Sequence, residues 1–155
     1  MQLFVREMDN RWATELLHWT YSAPYDFYNN ELTTETLKEI LDNSYQAIVN
    51  DKEQLIGYFC TGISAQVPSG HEVDAYLENG IDIGIGLKPD LTGKGFGTEF
   101  FSFIVSHVRQ TTHAPLRLTV AKFNTRAIHL YEKLGFKKKL EFKHQAIRFI
   151  TMLKE

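Results

Sequence analysis

The sequence predicts a single α/β domain over residues 1–155, and three observations support this prediction. The chain has 155 residues, of which 43% are hydrophobic and 23% charged, so it is long enough to bury one core of its own. Short stretches with the alternation of strands are interleaved with stretches whose apolar residues recur at helical spacing. No internal repeat, low-complexity tract or linker divides the chain.

The predicted elements can be placed in chain order. The first half contains a strand over 3–8, a helix over 12–21 capped by Asp9 or Asn10, a helix over 34–43 capped by Thr33 or Thr34, and a hairpin with strands over 45–51 and 54–63. The second half contains a strand over 81–87, a helix to about residue 110, a strand over 116–121, a helix from Asn124 that Gly135 ends, and strands over 136–142 and 147–153. Residues 64–80 have no clear period and predict an exposed insertion, mobile over 68–70.

The composition excludes several classes of function. A formal net charge of -2 gives no overall field that would attract nucleic acid or an anionic membrane. The single cysteine, Cys60, excludes an internal disulfide and a cysteine zinc cluster, which favours a reducing, cytoplasmic setting. The six histidines show no ligand spacing, so we expect no metal site. The first residues lack a signal peptide pattern, and no apolar run is long enough to span a membrane.

The segment TGKGFG, residues 92–97, places three glycines between a predicted strand and a predicted helix. Glycines let the backbone curl so that several N–H groups converge on one anion, and the first N–H groups of a helix lack partners. The segment therefore predicts a phosphate or pyrophosphate site, with a plain tight connection as the alternative. It fits neither the P-loop nor the dinucleotide-binding pattern, which disfavours a P-loop nucleotide-binding protein.

A second segment, residues 119–136, favours the phosphate interpretation. Asn124, Ala127 (or Ile128) and Tyr131 fall on one face of the predicted helix. Together the two segments resemble the GNAT superfamily of acetyl-CoA-dependent N-acyltransferases. TGKGFG matches that family's [QR]xxGx[GA] loop except at Thr92, and the later segment matches its N-x-x-A-x-x-x-Y-E-K-x-G-F pattern. The resemblance covers about residues 81–142.

The resemblance implies both a fold and a cosubstrate. The implied fold has a GNAT-like mixed, mostly antiparallel central sheet, helices on both faces, and a parallel strand pair that splays apart. Acetyl-CoA would bind with its pyrophosphate on the glycine loop and its pantetheine arm along the backbone of strand 81–87. Thr92 is shorter than the family's Gln or Arg, which leaves only the main chain to act there. The implied binding residues are Ile85, Leu87, Thr92, Gly93, Lys94, Gly95, Phe96, Gly97, Thr98 and Asn124.

The implied reaction is direct attack of a primary amine on the acetyl group in a ternary complex. The amine must first lose a proton, and the leaving thiolate benefits from a proton donor. The resemblance places Tyr131 near the sulfur as that donor, with a purely structural core aromatic as the alternative. Asp82, on the glycine-bearing face of strand 81–87, is the predicted base, directly or through water. The alternative is that Asp82 forms a surface salt bridge, and Glu72 and Asp74 are then the next candidates.

The acceptor is expected to bind along residues 19–31. This stretch is rich in aromatic residues, and Asp26 and Glu31 would attract a cationic amine. The alternative is that the aromatics close the core over a loop. We expect a small-molecule amine as the substrate, and a protein that is a monomer or a homodimer. There are two alternative functions: an acetyltransferase of protein N-termini or lysines, and a non-catalytic CoA-binding sensor or partner module. The predicted substrate-binding residues are Tyr21, Tyr25, Asp26, Phe27 and Tyr28.

Overall fold

The computed structural model describes all residues 1–155 and shows a mixed α/β fold. The strands are β1 (Phe4–Glu7), β2 (Tyr45–Val49), β3 (Leu55–Thr61), β4 (Ile81–Leu87), β5 (Leu116–Ala121), β6 (Lys137–His144) and β7 (Ile147–Lys154). The helices are α1 (Asn10–Leu17), α2 (Thr34–Asp42), α3 (Gly97–Arg109) and α4 (Thr125–Lys133). None of the helices combines the length and the apolar character needed to cross a bilayer. The predicted elements are all present, although α1 ends four residues before the predicted position.

The chain forms two compact units, with boundaries inside β3, β4 and α3. Unit 1 comprises Met1–Cys60 and Ile85–Phe103, and unit 2 comprises Thr61–Gly84 and Ile104–Glu155. The seven strands form a mixed sheet in which only β4 and β5 pair in parallel, which confirms the predicted, mostly antiparallel sheet. A single domain over the whole chain stays a prediction.

In unit 1 the strand order is β1-β2-β3-β4. Asp9 caps α1 by accepting a hydrogen bond from the N–H of Trp12, and Thr33 caps α2 through the N–H of Thr36. The apolar stripes of both helices pack with β2 and β3 in one core, because a helical period of 3.6 places their large side chains on one face. This core contains Trp12, Ala13, Leu16, Leu17, Trp19, Ile40, Ala47, Val49 and Leu55.

In unit 2 the strand order is β4-β5-β7-β6. The parallel register pairs Ile81 with Leu116 and Asp82 with Arg117, at the beginning of both strands. The side chain of Asn124 caps α4, and Gly135 ends it with a φ of 95°, as the sequence predicted. A second core consists of Ala75, Ala121, Phe142 and Phe149.

The segment between β3 and β4 differs from the prediction of an exposed insertion. It forms two 3-10 turns, Gly62–Ala65 and Pro68–Val73, and both Gly70 and Ala75 are buried. The phenol of Tyr76 anchors it: its oxygen accepts a hydrogen bond from the N–H of Val67 (2.9 Å) and hydrogen-bonds Oγ1 of Thr119 in β5 (2.8 Å). Such turns have no amphipathic period, so the sequence pattern did not reveal that this segment is fixed to the sheet.

Candidate active site

The glycine loop (residues 92–98) connects the 3-10 turn that follows β4 to the start of α3. Gly93 has a φ of 71° and Gly95 a φ of 80°, in the left-handed region that favours glycine. No heavy atom lies within 4 Å of the position that a Cβ of Gly95 would take, so the space outside the loop at this point is open. The backbone of the loop is therefore accessible.

The same loop carries a row of backbone donors without partners. None of the N–H groups of residues 93–99 donates a well-formed hydrogen bond to another group of the chain; the next one that does is the N–H of Phe100, to the C=O of Phe96 (3.0 Å). Phe96 immediately precedes α3, and its side chain has no oxygen that could cap the helix. Unpaired N–H groups at a helix start, next to a left-handed turn, form a binding site for an anion.

Two polar side chains of the loop differ in what they can donate to an anion. The hydroxyl of Thr92 donates to the C=O of Pro89 (2.7 Å), so its proton is used to close the preceding turn. Lys94 is exposed, so its ammonium group is accessible to an anion. The roles of both residues in binding the cosubstrate stay predictions.

The second half of β4 presents backbone groups at one edge. Within a strand, the N–H and C=O of one residue point to the same edge, and successive residues alternate. The carbonyl of Gly86 lies against Gly57 of β3, and the N–H of Lys88 donates to the C=O of Ile56 (2.9 Å). The backbone groups of Ile85 and Leu87 therefore face the opposite edge, away from β3.

Tyr21 contacts this edge of β4. Its hydroxyl donates to the C=O of Leu87 (2.8 Å), while its N–H donates to Oδ1 of Asn29 (2.8 Å). Burial raises the pKa of Tyr21 to about 12, so the phenol is protonated at neutral pH. The loop that follows α1 is thus attached directly to the strand whose backbone we expected to bind a substrate.

The remaining predicted acceptor residues lie in the same loop. Tyr25, Asp26, Phe27 and Tyr28 form one 3-10 turn, in which the rings of Phe27 and Tyr28 meet edge to face, 5.1 Å between centroids. Phe27 and Tyr28 are 45% and 37% exposed. The alternative that these aromatics close the core is therefore wrong for both residues, and the turn offers an aromatic surface to solvent.

The face of β4 that carries its glycines is covered at Gly86. A Cβ on Gly86 would overlap the ring of Tyr58 in β3, so only glycine fits beneath this phenol. The ring of Tyr58 also packs with Trp19 and Tyr45, at centroid distances of 6.3 and 5.9 Å. The sequence pattern indicates the glycine face of the strand but does not indicate the tyrosine that lies on it.

Asp82 is buried in an ion pair in unit 2. Asp82 is 3% exposed and Arg117 4%. Arg117 donates from Nε to Oδ1 (2.7 Å) and from Nη2 to Oδ2 (2.8 Å), and the Gln66 amide donates to Oδ2 (2.8 Å). The carboxylate raises the pKa of Arg117, whose Nη1 also donates to the C=O of Glu78 (2.9 Å). Asp82 does form a salt bridge, but a buried one and not the surface pair considered above.

These contacts extend to His71. Because the Gln66 amide donates to Asp82, its Oε1 is the atom that meets Nε2 of His71, 2.7 Å away. His71 Nε2 must then carry the proton, which leaves Nδ1 as the acceptor of the neutral ring. The other two base candidates, Glu72 and Asp74, are exposed. The role of Asp82 as base stays a prediction, and its contacts argue against it because both oxygens already accept hydrogen bonds.

The two predicted residues of α4 lie in unit 2. The Asn124 side chain accepts a hydrogen bond from the N–H of Ala127 (3.1 Å), so it caps the helix whatever else it binds. Tyr131, on the same helix, is buried, and its ring centroid is 6.3 Å from that of Phe136. Their roles with a substrate stay predictions.

Comparison with known proteins identifies the family of this chain. The model of the "Acetyltransferase (GNAT) family" matches residues 11–136. Spermidine N(1)-acetyltransferase of Escherichia coli is 27% identical over 92% of this chain and 70% of its own length. Mycothiol acetyltransferase of Streptosporangium roseum is 35% identical over 54% of this chain, and the match spans only about a quarter (23%) of that protein. The structure of aminoglycoside acetyltransferase AAC(6')-Ib in complex with coenzyme A has a TM-score of 0.70 and 17% identity, and the match covers 99% of this chain and 94% of that one.

Proposed function

We propose that this chain, which belongs to the acetyltransferase (GNAT) family, is an N-acetyltransferase that transfers the acetyl group of acetyl-CoA to the primary amine of a small molecule. The observation that best supports the use of acetyl-CoA is the row of unpaired N–H groups over residues 93–99. These groups and the start of α3 suit the two negatively charged phosphates of the CoA pyrophosphate. The solved structure of an aminoglycoside acetyltransferase with coenzyme A is consistent with this choice.

The pantetheine arm would bind at the free edge of β4. Ile85 and Leu87 direct their N–H and C=O groups away from β3, as pairing with the amides of an extended ligand requires. The side chain of Asn124 would contact the same arm. A carbonyl has two lone pairs, so the bond from Tyr21 to Leu87 leaves one for the ligand.

The transfer itself needs one bond to form and one to break. The lone pair of the amine nitrogen attacks the acetyl carbon, the nitrogen loses a proton, and the C–S bond breaks to release the CoA thiolate. Tyr131 would protonate that sulfur, since the hydroxyl of a phenol can act as a general acid. Asp82, Glu72 and Asp74 are the groups to test as acceptors of the amine proton.

The acceptor is proposed to bind at the loop after α1. Phe27 and Tyr28 expose aromatic faces, which attract an ammonium group, and the exposed carboxylate of Asp26 lies in the same turn. Tyr21 and Tyr25 complete the proposed acceptor loop. Spermidine, a cationic amine, is the substrate in the name of one relative, and a cationic acceptor agrees with this chemistry.

The test is an acceptor screen that measures thiol release from acetyl-CoA. The screen contains polyamines, aminoglycosides, amino acids and peptides with a free N-terminus or a lysine. We expect release with at least one small amine and none with the peptides. Binding of coenzyme A without release by any amine would contradict the proposal and favour a CoA sensor. Displacement of coenzyme A by ATP would contradict the assignment of the loop.

A further inference from the structure

Tyr58 stands directly above the part of β4 where acetyl transfer is proposed. The hydroxyl oxygen of Tyr58 lies 2.6 Å from the point that a Cβ of Gly86 would occupy. Gly86 separates Ile85 from Leu87, the two residues whose backbone groups face the free edge. The phenol therefore reaches β4 from the face of the strand, not along its edge.

The Tyr58 hydroxyl has no hydrogen-bond partner in the protein. No hydrogen bond of its hydroxyl is found, and its ring packs on Trp19, Tyr45 and Gly86. The hydroxyl is not sealed off either, because the only fully buried side-chain polar atom without a partner is Oγ1 of Thr151. A half-buried phenol that is unpaired and reachable can bind a ligand.

The neighbouring phenols of Tyr21 and Tyr45 are placed differently. Tyr21 donates its hydroxyl to the C=O of Leu87, and Tyr45 lies in β2, which is separated from β4 by β3. Burial, followed by the nearby phenols of Tyr21 and Tyr45, raises the pKa of Tyr58, so its hydroxyl keeps its proton at neutral pH. Among these three phenols, that of Tyr58 is the one that lies on Gly86, between Ile85 and Leu87.

We propose that the hydroxyl of Tyr58 hydrogen-bonds the acceptor amine and positions it over β4. This inference rests on the proposed function, because it takes the acetyl group to lie at the free edge beside Ile85 and Leu87. Groups at that edge meet the backbone in the plane of the sheet, whereas Tyr58 occupies the face. A nucleophile attacks a carbonyl from outside the plane of its substituents, so an acetyl group that lies in the plane of the sheet would be attacked from a face, and Tyr58 lies on one of the two faces.

The test is Tyr58→Phe, which removes the hydroxyl and keeps the ring on Gly86. The amine that gives the fastest thiol release with the wild type is used for all measurements. We expect the acceptor KM to rise by about 10- to 100-fold, because the variant loses one hydrogen bond to a charged or amine group. The value of kcat should change far less. The affinity for acetyl-CoA and the midpoint of thermal unfolding should stay at the wild-type values.

Tyr45→Phe is the matched control. It removes a phenolic oxygen from the same group of rings, but one carried by β2, which does not neighbour β4. We expect its acceptor KM to equal that of the wild type. An unchanged acceptor KM in Tyr58→Phe, or an equal rise in both variants, would overturn the proposed contact while leaving the acetyltransferase activity intact. A wild-type protein that acetylates no amine would overturn the proposed function and this contact together.

Discussion

The two halves of β4 place polar groups in opposite situations. At its beginning, the Asp82 carboxylate is buried and accepts hydrogen bonds from Arg117 and Gln66. At its end, the backbone groups of Ile85 and Leu87 face away from β3, and the loop beyond carries N–H groups without partners. The carboxylate of the first half has its hydrogen bonds made within the protein, whereas the outer edge of the second half carries one such bond, from Tyr21 to the C=O of Leu87.

Because of this difference, we expect the two halves of β4 to contribute to different properties, the first to folding stability and the second to ligand binding. A buried charge is tolerated only when it is paired, and removal of one partner leaves the other uncompensated. Unpaired N–H groups at the surface bind water at little cost until a ligand replaces it. Substitutions in the first half of β4 should therefore affect folding most, and substitutions near its end should affect binding most.

The largest effect is expected from Asp82→Asn. The change leaves Arg117 buried without its counter-charge, which should lower the free energy of unfolding by about 3–5 kcal/mol. Urea denaturation measures this loss. Glu141→Gln is the control, because Glu141 also forms ion pairs, with Lys122, Lys138 and Arg148. These ion pairs lie at the surface, so their loss should lower the free energy of unfolding much less.

The same variant tests whether Asp82 is the base. At a temperature where Asp82→Asn remains folded, a structural role predicts an equal loss of kcat/KM at every pH. A catalytic base predicts a larger loss at low pH, with partial recovery in alkaline buffer as the amine deprotonates without help. The second outcome would show that the buried ion pair opens during the reaction.

Tyr131→Phe should have the next largest effect, and on rate alone. If Tyr131 protonates the leaving sulfur, kcat should fall by roughly 10- to 1,000-fold while the affinity for acetyl-CoA is retained. The ring stays in its place beside Phe136, so unfolding should hardly change. Steady-state kinetics with a separate binding measurement check this. An unchanged kcat, with chemistry shown to be rate-limiting, would leave Tyr131 a core residue.

Gly95→Val should weaken acetyl-CoA binding about tenfold or more. Valine is strained at the φ of Gly95, and its branched side chain would occupy the open side of the glycine loop. Gly62→Val is a matched control, because Gly62 has a φ of 77° and equally open surroundings but lies outside the loop. Calorimetry with acetyl-CoA compares the two. Equal affinities for both variants would mean that the loop does not bind the cosubstrate.

The smallest effect is expected from Tyr21→Phe. Loss of its hydrogen bond to Leu87 should cost about 1 kcal/mol of unfolding free energy at pH 7. Burial raises the folded pKa of Tyr21 to about 12, above the ordinary value near 10, so the contribution of this buried phenol to stability is complete below pH 10 and is lost as the pH rises toward 12. Unfolding curves from pH 8 to pH 12 should show a shallower alkaline loss in the variant. An equal alkaline loss of stability in the wild type and in Tyr21→Phe would show that Tyr21 does not contribute to it.

Much of the fold could be predicted because local signals agreed with the tertiary structure. Apolar periodicity located the helices, and capping residues such as Asp9, Thr33 and Asn124 fixed where they begin. The register of the parallel pair could not be predicted, and it decides that Arg117 lies beside Asp82. Asp82 was predicted to be the base because of its position in the strand. Its pairing with Arg117, a residue far along the chain, shows a buried ion pair.

By itself the sequence determined the glycine loop, the strand before it and the helix after it, because backbone conformation at glycine and helix periodicity are local properties. The tertiary structure decided which polar groups have partners. Tyr58 is one of seven tyrosines in the sequence, and only the approach of β3 to Gly86 distinguishes its hydroxyl from those of Tyr21 and Tyr45. Hydrogen-bond satisfaction depends on contacts between residues distant in the chain, which no local pattern encodes.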